Sequence, residues 1–241
     1  MKKQIKNVLN AFLMKTLSYQ LVHNRLTVNT DSDVWQGLKK RGYTPRCIID
    51  VGASTGLWTK DMLKVYPDSN YLMIDPLQEN EQALREVAKN YPNVRYWLGA
   101  AGRDLGELEM HAHGPQSSVY ASEWGGALRR VPMNTLDALA KEFAHNVVDG
   151  MKIDVQGAEL EVLAGAAETL RMCKVVQVEV SFRRVYEKAP VAHEIIRFFA
   201  EQGFRIFDIV SIVKRGGDGA LIQGDLFFVS EDKLFEPETW V

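Results

Sequence analysis

The chain is poor in residues that would fix it by cross-linking. Only two cysteines, Cys47 and Cys173, occur in 241 residues. Both adjoin strand-like segments. They read as small buried hydrophobes, which argues against a disulfide framework or a cysteine metal site. A reducing compartment is the simpler expectation. No apolar run approaches the roughly 20 residues that a membrane-spanning helix needs. The opening stretch MKKQIKNVLNAFLMKTL lacks an uninterrupted apolar core and a small-residue cleavage site, because Asn10 and Lys15 interrupt it, so no secretory signal is expected. Net charge is only −2, with acids and bases interspersed. The concentrated basic face of a nucleic-acid binder is missing, and no nucleic-acid partner is expected. Internal repeats and low-complexity tracts are absent too.

What remains is the composition of one globular domain with a full core, 46% hydrophobic and 25% charged. Ile5, Val8, Leu9, Phe12 and Leu13 fall at helical spacing beside Lys2, Lys3 and Lys6. Such a helix could lie on an anionic membrane, pack on its own domain or pack on a second subunit. From Cys47 onward, strand and helix patterns alternate. CIIDVG, NYLMIDP, NVRYWLGAA, GMKIDVQG and KVVQVEV read as strands. Helices are expected over residues 57–66, 78–90, 158–171 and 191–202. Crossovers of this length imply a mainly parallel sheet. FRIFDIVSIV and GDLFFVS are separated only by a glycine-rich loop, so they should pair as a hairpin, with the last strand antiparallel. The expected fold is therefore α/β, a doubly wound, Rossmann-like, seven-stranded sheet. Residues 1–45 are expected to be a helical appendage and 46–241 the main domain. Residues 105–135 read as an inserted hairpin or loop that could cover a substrate site.

The segment IIDVGASTGLWT raises the question of ligand. In doubly wound sheets ligands bind outside the carboxyl ends of the strands. This turn does not have the dinucleotide spacing G-x-G-x-x-G. It reads Asp-x-Gly-x-x-x-Gly, with Asp50 at the strand end and Gly52 and Gly56 after it. An acid there would repel a phosphate and suit a cation such as the sulfonium and amino group of S-adenosylmethionine. Asp75 ends the second strand, at the position that hydrogen-bonds ribose hydroxyls in nucleotide folds. The alternative is that Asp75 only caps the turn at Pro76.

At this point the sequence resembles the FkbM-type S-adenosylmethionine-dependent methyltransferases. IIDVGASTG, YLMIDP, NTLDAL and MKIDVQGAELEVLAGA carry the resemblance, with VVQVEVS and GDLFFVS at the end. It spans about Ile48 to Ser230. Ser54 stands where the family turn has asparagine, Asp75–Pro76 where it has Glu-Pro, and Gln156 where it has glutamate. The last change removes a candidate metal ligand or base. The resemblance implies a class I methyltransferase domain, S-adenosylmethionine as cofactor and methyl transfer, usually to oxygen. It implies as acceptor a sugar hydroxyl of a surface polysaccharide or glycan precursor. O-methylation of a natural product and a non-catalytic partner-binding domain are the alternatives. The cytoplasm, or the inner face of its membrane, is the expected compartment.

The cofactor is expected to contact Asp50, Gly52, Ala53, Ser54, Gly56, Asp75 and Pro76. Its adenine should lie near Ala100, Ala101 and Gly102. A sugar hydroxyl is a poor nucleophile and gains from a base or a metal ion. Asp154 ends the fourth strand, with Lys152 on the same side of it. Glu179 ends the fifth strand, and Asp225 is expected to open the last one. Asp154, Glu179 and Asp225 could bind Mg²⁺, one could act as base, or the charges could simply order the loops. His111 and His113 would share a face of a strand in the inserted block. His113 is a candidate base or sugar contact, and GPQSSVY with Trp124 offers hydroxyls and a ring face to a sugar.

Overall fold

A computed structural model describes residues 30–112, 117–118, 127–184, 186 and 188–231. The sheet opens with β1 (Cys47–Val51), β2 (Asn70–Asp75) and β3 (Val94–Leu98). It continues with β7 (Gly150–Ile153), β8 (Val175–Ser181), β9 (Phe204–Lys214) and β10 (Leu221–Ser230). Their spatial order is β3-β2-β1-β7-β8-β10-β9. The first five strands run parallel, and β10 lies antiparallel to both β8 and β9. This is the doubly wound sheet, with its antiparallel last strand, that the sequence led us to expect.

Alternation along the strands sends side chains to two cores. Ile49, Val51, Leu72, Ile74, Met151, Ile153, Val176 and Val178 face one side. There they meet α4 (Leu136–Phe143), α5 (Glu159–Ala164), α6 (Ala167–Met172) and α7 (Ala192–Glu201). Ile48, Tyr71, Met73, Val175, Phe227 and Val229 face the other. That side is covered by α1 (Asp31–Lys40), α2 (Leu57–Val65) and α3 (Glu81–Asn90). One row on this second face is polar. Asp50, Lys152 and Gln177 are direct cross-strand neighbours on β1, β7 and β8, and Glu179 faces Asp225 on β10.

Several boundaries differ from expectation. The third strand does not run through to Ala101. It ends at Leu98, with the Gly99 N–H making the last bond of the ladder to the Asp75 carbonyl, and Ala100–Ala101 become β4 of a separate small sheet. That sheet, in the order β4-β6-β5, contains the hairpin of β5 (Gly106–Ala112) and β6 (Ala127–Asn134). The single helix expected over 158–171 is two, parted at Gly165. A Cβ on Gly165 would stand 2.0 Å from the Gly102 carbonyl oxygen, so the chain passes another backbone there too closely for a side chain. Cys47 and Cys173 are buried, and no disulfide joins them. No helix among the described residues is long and apolar enough to cross a membrane.

The helical appendage expected over residues 1–45 is described only from Thr30, so Ile5–Leu13 lie outside the described residues. The described part is not peripheral. Thr30 caps α1 by a reciprocal exchange with Asp33. Trp35 is fully buried among Tyr43, Trp58, Tyr66 and Phe227. Its Nε1 donates to Gln177 Oε1 at 2.9 Å, and Gln177 Nε2 donates to Asp31 Oδ2 at 2.8 Å. We expect Trp35→Ala to lower unfolding free energy by about 3–5 kcal/mol, as for other deletions of large buried rings. Urea unfolding measures this. A loss under about 1 kcal/mol, within the range of ordinary surface changes, would mean that α1 is a detachable appendage after all.

Candidate active site

A cavity of about 390 Å³ opens at the carboxyl ends of the parallel strands. That volume falls in the range of small-molecule sites. Three parts of the chain form its walls. The first contains Gly52, Ser54, Asp75, Pro76 and Asn80. The second is apolar and contains Leu77, Ala100, Ala101, Leu108 and Met110. The third contains Ser118, Asp154, Gln156, Glu179 and Gln223.

The first wall depends on a tight turn. Gly52 has φ +79°, and a Cβ there would lie 1.8 Å from the Asp154 carbonyl oxygen. Only glycine lets β1 and the end of β7 come so close. Ser54 follows in the left-handed region at φ +50°, and its N–H donates to Asp75 Oδ2 at 2.8 Å. Asp75 Oδ1 accepts from the Leu77 N–H at 3.0 Å and from Asn80 Nδ2 at 2.9 Å. Burial pushes the Asp75 carboxyl pKa up despite these donors. Oδ2 takes only one of the three bonds, so it keeps acceptor capacity toward the cavity. Ser54 thus contributes chiefly through its backbone. Asparagine, the residue of the family turn, tolerates positive φ better than serine.

Asp50 does not reach the cavity. It shares the face of Ile48, toward α2, and is fully buried. Thr59 Oγ1 donates to its Oδ2 at 2.7 Å. Its Oδ1 lies 3.5 Å from Lys152 Nζ, an ion-pair contact without hydrogen-bond geometry. The direct ligand contact expected of Asp50 is therefore replaced by a support beneath the turn. Burial raises its pKa, and Lys152 and Thr59 oppose that rise. Lys152, a candidate catalytic residue, is also sunk beneath the cavity. Its Nζ stands 3.3 Å from Asp154 Oδ2 and 3.4 Å from the Gly52 carbonyl oxygen. Burial alone would lower the pKa of this ammonium, but Asp50 and Asp154 hold it above the usual lysine value.

The third wall brings Asp154 and Glu179 together through a residue that sequence reasoning treated only as a loss. Gln156 Nε2 donates to Asp154 Oδ1 at 3.0 Å and to Glu179 Oε2 at 2.7 Å. Its Oε1 accepts from the Tyr186 hydroxyl at 3.3 Å. The loop is held by Ser118 Oγ, which donates to the Gln156 carbonyl at 2.7 Å. Gln223 Nε2 adds a donor to Glu179 Oε2 at 3.2 Å. Burial, then the charges of Asp154 and Asp225, push Glu179 up to about 8. Both amide donors fall on Oε2. Close by, Glu159 accepts from the Gly157 N–H, and burial pushes it up to about 7.

Asp225 is not the first residue of the last strand, which begins at Leu221. It turns instead toward Ser211 and Gln177, and burial with the nearby Asp31 pushes it up to about 6. The three carboxylates considered for Mg²⁺ therefore do not form one cluster. Among the described residues no group of three His, Cys, Asp or Glu is placed to hold a metal ion. Ala53, Gly56 and Gly102 pack beside the site without lining it. His111 pairs by backbone with Ser118, while His113 and Trp124 lie outside the described residues. Asn80, Gln223, Leu108 and Met110 were missed. Asn80 could have been noticed five residues after Asp75 in a turn. The other three are unremarkable letters until the two sheets meet.

Known proteins are similar to this chain in sequence and in fold. The model of the methyltransferase FkbM domain matches residues 50–206. The 2-O-methyltransferase NoeI of Sinorhizobium fredii (strain NBRC 101917 / NGR234) is 23% identical over 193 residues, covering 73% of this chain and 77% of NoeI. The crystal structure of methyltransferase FkbM from Methylobacillus flagellatus KT is similar with a TM-score of 0.50 and 15% identity. The match covers 76% of this chain but only 44% of that one, so this chain spans under half of that structure's length. The likeness to it is one of fold.

Two outcomes are expected from these details. Ser54→Asn should raise unfolding free energy by up to about 1 kcal/mol, because it relieves a left-handed serine. Chemical denaturation checks it, and a destabilised variant would contradict the backbone role. Glu179 has a folded-state pKa of about 8 against an ordinary value of 4.5, so the folded state binds the extra proton between those pH values. Stability should therefore fall as pH rises from about 5 to 8. Glu179→Gln should flatten that fall in melting temperature, and an unchanged slope would contradict the assignment.

Proposed function

We propose, for a chain that belongs to the FkbM methyltransferase family, that the cavity binds S-adenosylmethionine and transfers its methyl group to a hydroxyl of a sugar in a surface polysaccharide or glycan precursor. The observation that carries this reading is the polarity of one continuous cavity, with the Asp75 turn and an apolar wall at one end and a carboxylate pair at the other. Asp75 Oδ2 suits a ribose hydroxyl. Leu77, Ala100, Leu108 and Met110 suit a flat base. The name of NoeI, a 2-O-methyltransferase, supports oxygen as the acceptor atom. The cytoplasm is the compartment we assign.

When bound, S-adenosylmethionine supplies an already activated methyl group. The work left to the chain is to hold the acceptor and remove its proton. Asp154 is the residue we assign as base, since it faces the cavity at the end of β7 with one oxygen toward Lys152 and the other on Gln156. Glu179, whose carboxyl pKa is pushed up by burial and the neighbouring acids, is placed to hydrogen-bond the acceptor. Lys152 positions Asp154 from below and does not touch the ligand space. Ser118 and Gln223 offer further polar contacts to a hydroxylated acceptor.

Calorimetry with S-adenosylmethionine tests the cofactor end. Asp75→Ala should weaken binding by about 10- to 100-fold, the worth of a lost charge-assisted hydrogen bond. Binding as tight as wild type would remove Asp75 from the ribose. A methyl-transfer assay across sugar nucleotides, polysaccharide extracts and lipid-linked glycans tests the acceptor end. There Asp154→Asn should lose about 10²- to 10⁴-fold activity with normal cofactor affinity. Full activity in that variant would assign the base elsewhere.

A further inference from the structure

Two carboxylates that approach one cavity from different strands need something between them. Divalent cations serve this purpose in many sites, because a cation offsets both charges and fixes both groups. Here the space between Asp154 and Glu179 is taken by the side-chain amide of Gln156. Its two N–H bonds are divided between them, at 3.0 Å to Asp154 and 2.7 Å to Glu179. The placement is specified from several directions. Tyr186 donates to the amide oxygen, which sets the amide so that nitrogen faces the acids. Ser118 grips the main chain, and the backbone accepts φ +51° at Gln156 and +104° at Gly157. A non-glycine residue held at positive φ is strained and persists only where its surroundings over-determine it.

We infer that Gln156 is a positioning residue that stands in for a divalent cation, clamping Asp154 and Glu179 by its two amide N–H groups so that the reaction centre works without a metal ion. The purpose of the clamp rests on reading this cavity as a methyl-transfer site; its geometry does not. The amide offers two partial positive charges directed at the two carboxyl groups and costs no uptake of an ion. Gln156→Glu, nearly equal in shape, removes both donors and adds a third carboxyl group at the same point. With Asp154 and Glu179, the introduced carboxylate would then form the hard oxygen cluster that divalent ions prefer.

The experiment compares wild type, Gln156→Glu and Gln156→Met, following free Mn²⁺ by electron paramagnetic resonance and melting temperature in EDTA and in Mn²⁺. Wild type is expected to take up no stoichiometric Mn²⁺. Gln156→Glu is expected to melt lower in EDTA, to bind Mn²⁺ one-to-one and to regain melting temperature with it. Gln156→Met, lacking both donors and added charge, is expected to melt lower and to gain nothing from Mn²⁺. Should Gln156→Glu fail to fold in EDTA, folding with Mn²⁺ is the expected result. The inference is overturned by a glutamate variant that takes up no Mn²⁺ under any condition. It is equally overturned by wild-type uptake of Mn²⁺ that Asp154→Asn abolishes. Calorimetry of S-adenosylmethionine with wild type reads the functional assignment separately, since that measurement is independent of Mn²⁺.

Discussion

The ammonium of Lys152 is the charge on which the site is built. It lies between Asp50 and Asp154, at 3.5 and 3.3 Å, and is almost removed from water. A buried charge left without a partner costs several kcal/mol, so these groups can be buried only together. Because Asp50 and Lys152 are direct cross-strand neighbours, the requirement becomes geometric: β1 and β7 must keep their register for the charges to meet. Thr59 on α2 then closes the back of Asp50. Sheet register, the helix over it and the state of Asp154 are thereby linked through one side chain.

Above this support, two close approaches shape the cavity. The Gly52 backbone passes the Asp154 carbonyl, and the Gly165 backbone passes that of Gly102. The first joins the Asp75 wall to the carboxylate wall. The second parts α5 from α6. The small β4-β6-β5 sheet completes the enclosure and provides Ala100, Leu108 and Met110 as an apolar surface. The cavity thus has one apolar wall and one carboxylate wall.

Much of the fold was legible because strand alternation and helix spacing are local. β1, β2, β7, β8 and the β9–β10 hairpin are found where CIIDVG, NYLMIDP, GMKIDVQG, KVVQVEV and the last two segments placed them. The breaks at Gly99 and Gly165 were not legible. Each depends on a partner distant in sequence, since Ala100–Ala101 pair with Met133–Asn134 and Gly165 passes the Gly102 backbone. At the site, Asp75 and Asp154 were found by their strand-end position. Asp50 was found for the right location but given the wrong surroundings, since nothing in its own segment announces Thr59 and Lys152. Asp225 was set at a strand start that hairpin pairing moved to Leu221.

The sequence alone determined the doubly wound fold, the turn at Gly52 and the acids at the strand ends, because these follow from patterns of a few residues and from glycine's freedom at positive φ. Tertiary structure alone decided which acids line the cavity and which, like Asp50, are buried beneath it. It also decided that Gln156, neutral and apparently a deficit, is the group that joins Asp154 to Glu179. The bond from Gln156 to Glu179 crosses from the loop after β7 to β8, so it depends on register and on side-chain direction. Neither is written in the letters around any one of them.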